Sequence, residues 1–280
     1  MRHRPKSYAV VTRLAGAALL AFGLARPSAA PLLAQGGGTF DHSAFDALLR
    51  AHVRDGLVDY DAFERAPEFK GYLGKLAATD PATLSRPEQL AFWIDAYNAY
   101  TIQLINAHHE RESIRNINKT LGMKLYGPWK EKLARVGGRD YGLDEIEQDI
   151  IRPRYREPRI HFALVCAAMG CPPLRSEAYT GAKLDAQLDD QARRFLVHTP
   201  SKNRVDVASK TVYLSPVLKG FRNYNEDFGG SDAAIGKFVA RYYPAGPEKQ
   251  LLESGDFKIE KTGYSWKLNS QANADGVATR

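Results

Sequence analysis

Apolar residues recur at helical spacing through the first half of the chain, and shorter apolar runs follow. "DHSAFDALLRAHVRD" and "DAFERAPEFKGYLGKLAA" predict helices, with "GLVDY" a short strand between them. A longer helix is expected over "QLAFWIDAYNAYTIQLINA". It is introduced by "SRPE", where Ser85 and Glu88 have capping-box spacing and Pro87 sits in the first turn. "KLARVGGRDYGL" predicts a hairpin turning at Gly137-Gly138. "DEIEQDIIR" predicts a short helix stopped by Pro153. "RIHFALVCA" is a continuous apolar run, as expected of a strand buried on both faces. "AKLDAQLDDQARRFL" carries Leu184, Leu188, Ala192 and Phe195 on one helical stripe. "KTVYLS" reads as a strand, "DAAIGKFVARYY" as a helix and "FKIEKTGYSWKLN" as a last strand. Helices dominate early and strands mix in later, so the expected class is α+β, with a helix-rich N-terminal half packed on a small mixed or antiparallel sheet.

Some polar residues break these patterns. On a helical wheel Asn98 falls inside the apolar arc of Leu90, Ile94, Tyr97, Thr101, Leu104 and Ile105, whereas Glu88, Asp95, Gln103 and Asn106 point the other way. A buried amide must be hydrogen-bonded. Asn98 therefore either ties down a neighbouring loop or orients a catalytic group. Glu88 is read as the partner in the helix cap. In the next helix Glu147 projects between Ile150 and Ile151, where a carboxylate needs a partner. An arginine such as Arg152 would supply one, and the alternative is a role in orienting a histidine or acting as a base.

The N-terminus adds a different signal. A basic head (Arg2, Arg4, Lys6, Arg13) precedes an apolar run at 14–25 and a stretch of small residues, which reads as a secretory signal peptide and leader over 1–35. The run is shorter than the roughly 20 residues of a membrane span, so no integral span is expected in the mature chain. Five of the 39 basic residues and none of the 32 acidic ones lie in 1–35, so without that stretch the formal charge falls from +7 to +2. Little is left to argue for nucleic acid as a partner. One domain is expected over 40–268, followed by a polar, frayed tail at 269–280. Export would place the protein in the periplasm or outside the cell, where disulfides are permitted.

The two cysteines of the chain, Cys166 and Cys171, flank "AAMG". A disulfide requires Cα atoms within about 7 Å, so the segment must turn, and Gly170 with Pro172-Pro173 makes a turn plausible. Three states remain open: a disulfide, a working thiol at the end of a buried strand, or two inert thiols. Strand alternation would put His161 and Cys166 on opposite faces, which favours a structural His161. The spacing of the cysteines does not make a zinc site, and no phosphate loop or Gly-x-Ser-x-Gly elbow is present, so no metal or cofactor is expected.

"FWIDAYNAYTI", "PWK", "LDEIEQDIIRP", the run from "RIHFALVCAAMGCPPLR" through "RRFL", "YLSPVLKGF" and "YSWKLN" together resemble the domain of unknown function 547 family, over about 40–268. The resemblance implies a papain-like, thiol-hydrolase-related architecture with a Cys-His-Glu-type site. Carried over, the cysteine falls on Cys166 and the acidic residue on Glu147. The family pattern often reads Glu-His where this chain has Glu147-Gln148, which leaves His161 as the nearby base. The expected function is an exported thiol hydrolase of an amide or thioester bond in a peptide-like substrate. In it Cys166 is nucleophile, His161 base, Glu147 its orienter, the backbone N–H groups of 167–171 an oxyanion site, and Asn98 and Arg175 substrate-positioning groups. The alternative is a non-catalytic envelope module with a Cys166–Cys171 disulfide that binds a peptide, glycan or protein.

Overall fold

The helix Arg86–Ala107 is the organising element, and it is buried along nearly its whole length and on every side. It belongs to a computed structural model that describes residues 37–120, 123–124 and 127–276. The leader expected at 1–35 lies outside these residues. The described residues fall in one compact unit, Gln35–Arg280. None of the described helices is long and apolar enough to cross a membrane.

The class is α+β. Helices Ser43–His52, Tyr60–Arg65 and Pro67–Ala78 pack with the central helix to form one apolar cluster, with Phe45, Phe63, Tyr72 and Phe92 fully buried. A second cluster lies under a three-stranded sheet. There Arg204–Asp206 pairs antiparallel with Thr211–Leu214, which pairs parallel with Lys258–Lys261. The helix Leu184–Leu196 joins the two: Leu184 and Leu188 enter the first cluster, and Ala192, Phe195 and Leu196 the second. The expected hairpin forms with Ala134–Val136 opposite Arg139–Tyr141.

Several local expectations are corrected. The single helix expected over "DAFERAPEFKGYLGKLAA" is broken at Ala66, where Pro67 starts a new one. The wheel of the central helix pointed Glu88, Asp95 and Asn106 away from the apolar arc, but they are buried too. Their side of the helix is covered by the N-terminal segment, which brings polar partners. Asn106 Nδ2 donates to the Tyr60 carbonyl (2.9 Å), and His42 lies 2.9 Å from Asp95 and 3.3 Å from Glu88. Glu88 does not cap its own helix. Its carboxylate accepts from the N–H groups of Gly181 (2.7 Å) and Phe40 (3.4 Å).

Pro153 does not end its helix. Residues Ile146–Ile151 form a widened turn in which the Arg152 N–H reaches the Glu147 carbonyl, and helix Arg152–Tyr155 continues beyond it. Widening opens the hydrogen-bond ladder where Pro153 brings no N–H. "RIHFALVCA" is not a strand. Ile160–Ala163 is a helical turn, and the chain becomes extended at Leu164. Continuous apolar runs suit any segment buried all round, and here the neighbours on both sides are the two clusters. The last expected strand is regular only over Lys258–Lys261. The polar stretch after 268 does not fray at once: Asn269 and Ser270 are buried, and Tyr60 Oη donates to Asn269 Oδ1 (2.6 Å).

Candidate functional site

A cavity of about 230 Å³ opens where the two clusters meet, and Glu147, His161 and Cys166 all line it. The correction from strand to helical turn explains how. In a regular strand His161 and Cys166 face opposite sides, but one helical turn followed by extended chain brings both to one cleft.

Asn98 holds that change of conformation in place. Its Nδ2 donates to the Ala163 carbonyl (3.0 Å), and its Oδ1 accepts from the Val165 N–H (3.0 Å). Both ends of the amide are spent on the backbone on either side of Leu164, and Asn98 does not line the cavity. Of the two roles open to it, tying down a neighbouring segment is the one seen. Arg175 is also elsewhere. It donates to Glu177 and Asp190, outside the cleft.

His161 is almost fully enclosed. Its Nε2 lies 2.6 Å from Asp227 Oδ2, and the Tyr224 ring stacks against it at 4.2 Å between centroids. Glu147, the orienter expected from sequence, is 4.0 Å from His161 Nδ1, beyond hydrogen-bond reach. The carboxylate that holds His161 is Asp227. Arg152 grips Asp227 in turn through Nε (2.7 Å) and Nη2 (3.0 Å). Burial pushes the Asp227 carboxyl up, but the bonds from His161 and Arg152 outweigh it and hold its pKa down at about 2. Gln148 Oε1 accepts from Arg152 Nη1 (2.6 Å) and belongs to this support rather than to the cleft. Asp227 had no sequence signal beyond a polar residue in the aromatic-rich "FRNYNEDF"; neither periodicity nor motif spacing marks it.

Glu147 sits in the widened turn with its side chain 9% exposed. Burial pushes its carboxyl above the ordinary range, against the pull of His161 and the Tyr224 phenol.

Cys166 and Cys171 are joined in a disulfide with Cα atoms 6.2 Å apart. Cys171 is buried and Cys166 partly exposed to the cleft. The Tyr264 hydroxyl donates toward both sulfurs, at 3.1 and 3.2 Å. Ala167 takes a left-handed φ of +57°, which turns the chain after Cys166. The returning segment pairs with the loop: the N–H groups of Met169 and Gly170 bond the carbonyls of Lys267 and Ser265, each at 2.8 Å. A Cβ at position 170 would meet the Tyr264 ring at 2.7 Å, so this close approach requires glycine. The Cys171 N–H bonds the Ala168 carbonyl. Three of the five N–H groups expected to serve as an oxyanion site are therefore already engaged.

The rest of the cleft is aromatic. Tyr97, Trp129, Phe221, Tyr224, Tyr264 and Trp266 line it, with Val217, Gly220 and the ion-paired Asp144 and Arg222 at its edge (2.7 Å).

Residues 81–196 match the family model described as "Protein of unknown function, DUF547". That segment contains Asn98, Glu147, His161, both cysteines and Arg175, but not Asp227, Tyr224, Tyr264 or Trp266. No curated protein and no solved structure matches the chain.

Proposed function

We propose that this protein is an exported, papain-like thiol hydrolase of an amide or thioester bond in a peptide-like substrate, with the Cys166–Cys171 disulfide as its oxidised resting state. The observation that carries this reading is the meeting of Cys166 and His161 in one cleft, with a carboxylate on the far nitrogen of the imidazole. A dithiol reductant first exchanges with the Cys166–Cys171 bond, leaving two protein thiols and an oxidised reductant. With Nε2–H held by Asp227, Nδ1 of His161 is the nitrogen free to take the Cys166 proton. The thiolate adds to the substrate carbonyl carbon, the C–N or C–S bond breaks, and the leaving group takes the proton from the imidazolium. Water then cleaves the acyl-thioester, releasing the acid and restoring the Cys166 thiol.

The test is alkylation of the mature protein with and without prior reduction, located by peptide mass spectrometry, followed by a screen of thioesters and peptide amides on the reduced form. Turnover that appears only after reduction and vanishes in Cys166→Ala and His161→Ala is the expected result. A reduced Cys166 that titrates with an ordinary thiol pKa and supports no turnover would sink the proposal. One observation favours a second reading, a non-catalytic binding module of the cell envelope: both sulfurs are already bonded and capped by Tyr264. That reading expects ligand binding to be unaffected by Cys166→Ala.

A further inference from the structure

Of three carboxylates at or beside the cleft, two are paired with arginine. Asp144 is paired with Arg222. Asp227 is paired with Arg152 and holds His161. Glu147 accepts a hydrogen bond from the Tyr224 phenol but none from a basic side chain among the described residues; the basic nitrogen that comes nearest, His161 Nδ1, is 4.0 Å away. It is nonetheless nine-tenths buried and lines the cavity. A carboxyl group withdrawn from water needs either a proton or a cation beside it, and a bound ammonium group would supply the second.

The walls supply the second half of a cation site. Tyr97 lines the cavity, the Tyr224 ring is already packed between Arg152 (5.2 Å) and His161 (4.2 Å), and a cluster of half-buried rings completes the mouth. Tyr264 stands 4.7 Å from both Phe221 and Trp266 between centroids, and Trp129 is 5.9 Å from Trp266. Aromatic faces attract cations, most strongly where water is excluded. The cavity, about 230 Å³, takes a side-chain-sized group rather than a bulky ligand.

We propose that Glu147 and the aromatic walls form a subsite for an ammonium group of the ligand, such as a lysine-like side chain. Glu147 is then a specificity residue rather than the orienter of His161, a task that Asp227 performs. As a statement about substrate, this rests on the hydrolase reading; as a statement about binding, it does not, and it is tested in the oxidised protein.

The oxidised full chain is titrated with Nα-acetyl-lysine amide and with its neutral isostere Nα-acetyl-norleucine amide. Trp129 and Trp266 fluorescence reports occupancy. The lysine probe is expected to bind about tenfold more tightly, the equivalent of about 1.4 kcal/mol. Glu147→Gln should abolish that preference while leaving norleucine affinity within about twofold. Trp266→Ala, at a half-buried ring on the rim, should reduce lysine affinity more than norleucine affinity, and it serves alone if E147Q does not fold. Equal affinity for the two probes in the unaltered protein, no binding of either, or a preference that survives in the variants would each overturn the proposal. Absence of turnover in the reduced protein would bear on the hydrolase reading alone.

Discussion

Removing the Asn98 amide should do more damage than its single side chain suggests. Asn98 is 3% exposed and bridges the Ala163 carbonyl and the Val165 N–H, both at 3.0 Å. Alanine at this position leaves two buried backbone groups without partners, at about 1–3 kcal/mol each. The space left by the amide adds a smaller cavity cost. The expected loss for Asn98→Ala is therefore about 3–5 kcal/mol, read as a fall in the urea midpoint at unchanged slope. Asn98→Asp keeps an acceptor for Val165 but sets a carboxylate oxygen against the Ala163 carbonyl. It should be as unstable as N98A at neutral pH and recover on acidification, as the protonated carboxyl regains a donor. A loss below about 1 kcal/mol in N98A would refute the claim that this amide holds the break between His161 and Cys166.

Three further outcomes are expected. Cys171→Ala should cost about 2 kcal/mol in the oxidised background, the closure entropy of so short a loop, and should leave Cys166 reactive to iodoacetamide without reductant. Asp227 has a depressed pKa, so its contribution to stability is complete above its ordinary value of 3.8 and is lost as pH falls toward about 2. Acid unfolding of Asp227→Asn should accordingly be flatter over that window than that of the parent. Burial alone would lower the His42 pKa, but Asp95 and Glu88 outweigh it and hold it above 6.5. Its contribution is therefore full below pH 6.5 and is lost as pH rises through the elevated value, so the melting-temperature advantage over His42→Gln should shrink at alkaline pH.

What could be read from the sequence was local. The stripe of Leu184, Leu188, Ala192 and Phe195 and the turn at Gly137-Gly138 depend on neighbours a few residues away, and both form as expected. What could not be read depended on distant partners. Asn98 was placed correctly inside the buried arc, yet its partners lie 65 and 67 residues on. Glu88 read as a cap partner and Asp95 as pointing away from the apolar arc, because the segment that covers them, with His42, precedes the helix by more than 40 residues. Glu147, His161 and Cys166 were picked out by odd placement or resemblance, and they do share a cleft. Their division of labour was not visible, because the carboxylate that reaches His161 comes from Asp227, 66 residues away in the helix Tyr224–Asp227, a single turn too short to show a periodicity.

The disulfide and the loop that carries it are separable. Met169 and Gly170 are bonded to the returning Ser265–Lys267 backbone, Lys202 donates to the Cys171 carbonyl, and Asn98 holds Val165. At about 0.5–1.5 kcal/mol net for each bond, these four together match or exceed the roughly 2 kcal/mol that closing the loop contributes. Reduction should therefore leave the turn standing, with Tyr264 still beneath Gly170 and Cys166 still at the cleft. A staple whose removal hardly alters the local shape is a weak explanation for a sulfur that lines the same cleft as a histidine held by aspartate. The proposed nucleophile role fits that arrangement better: the bond can be exchanged while the residues around it keep their positions.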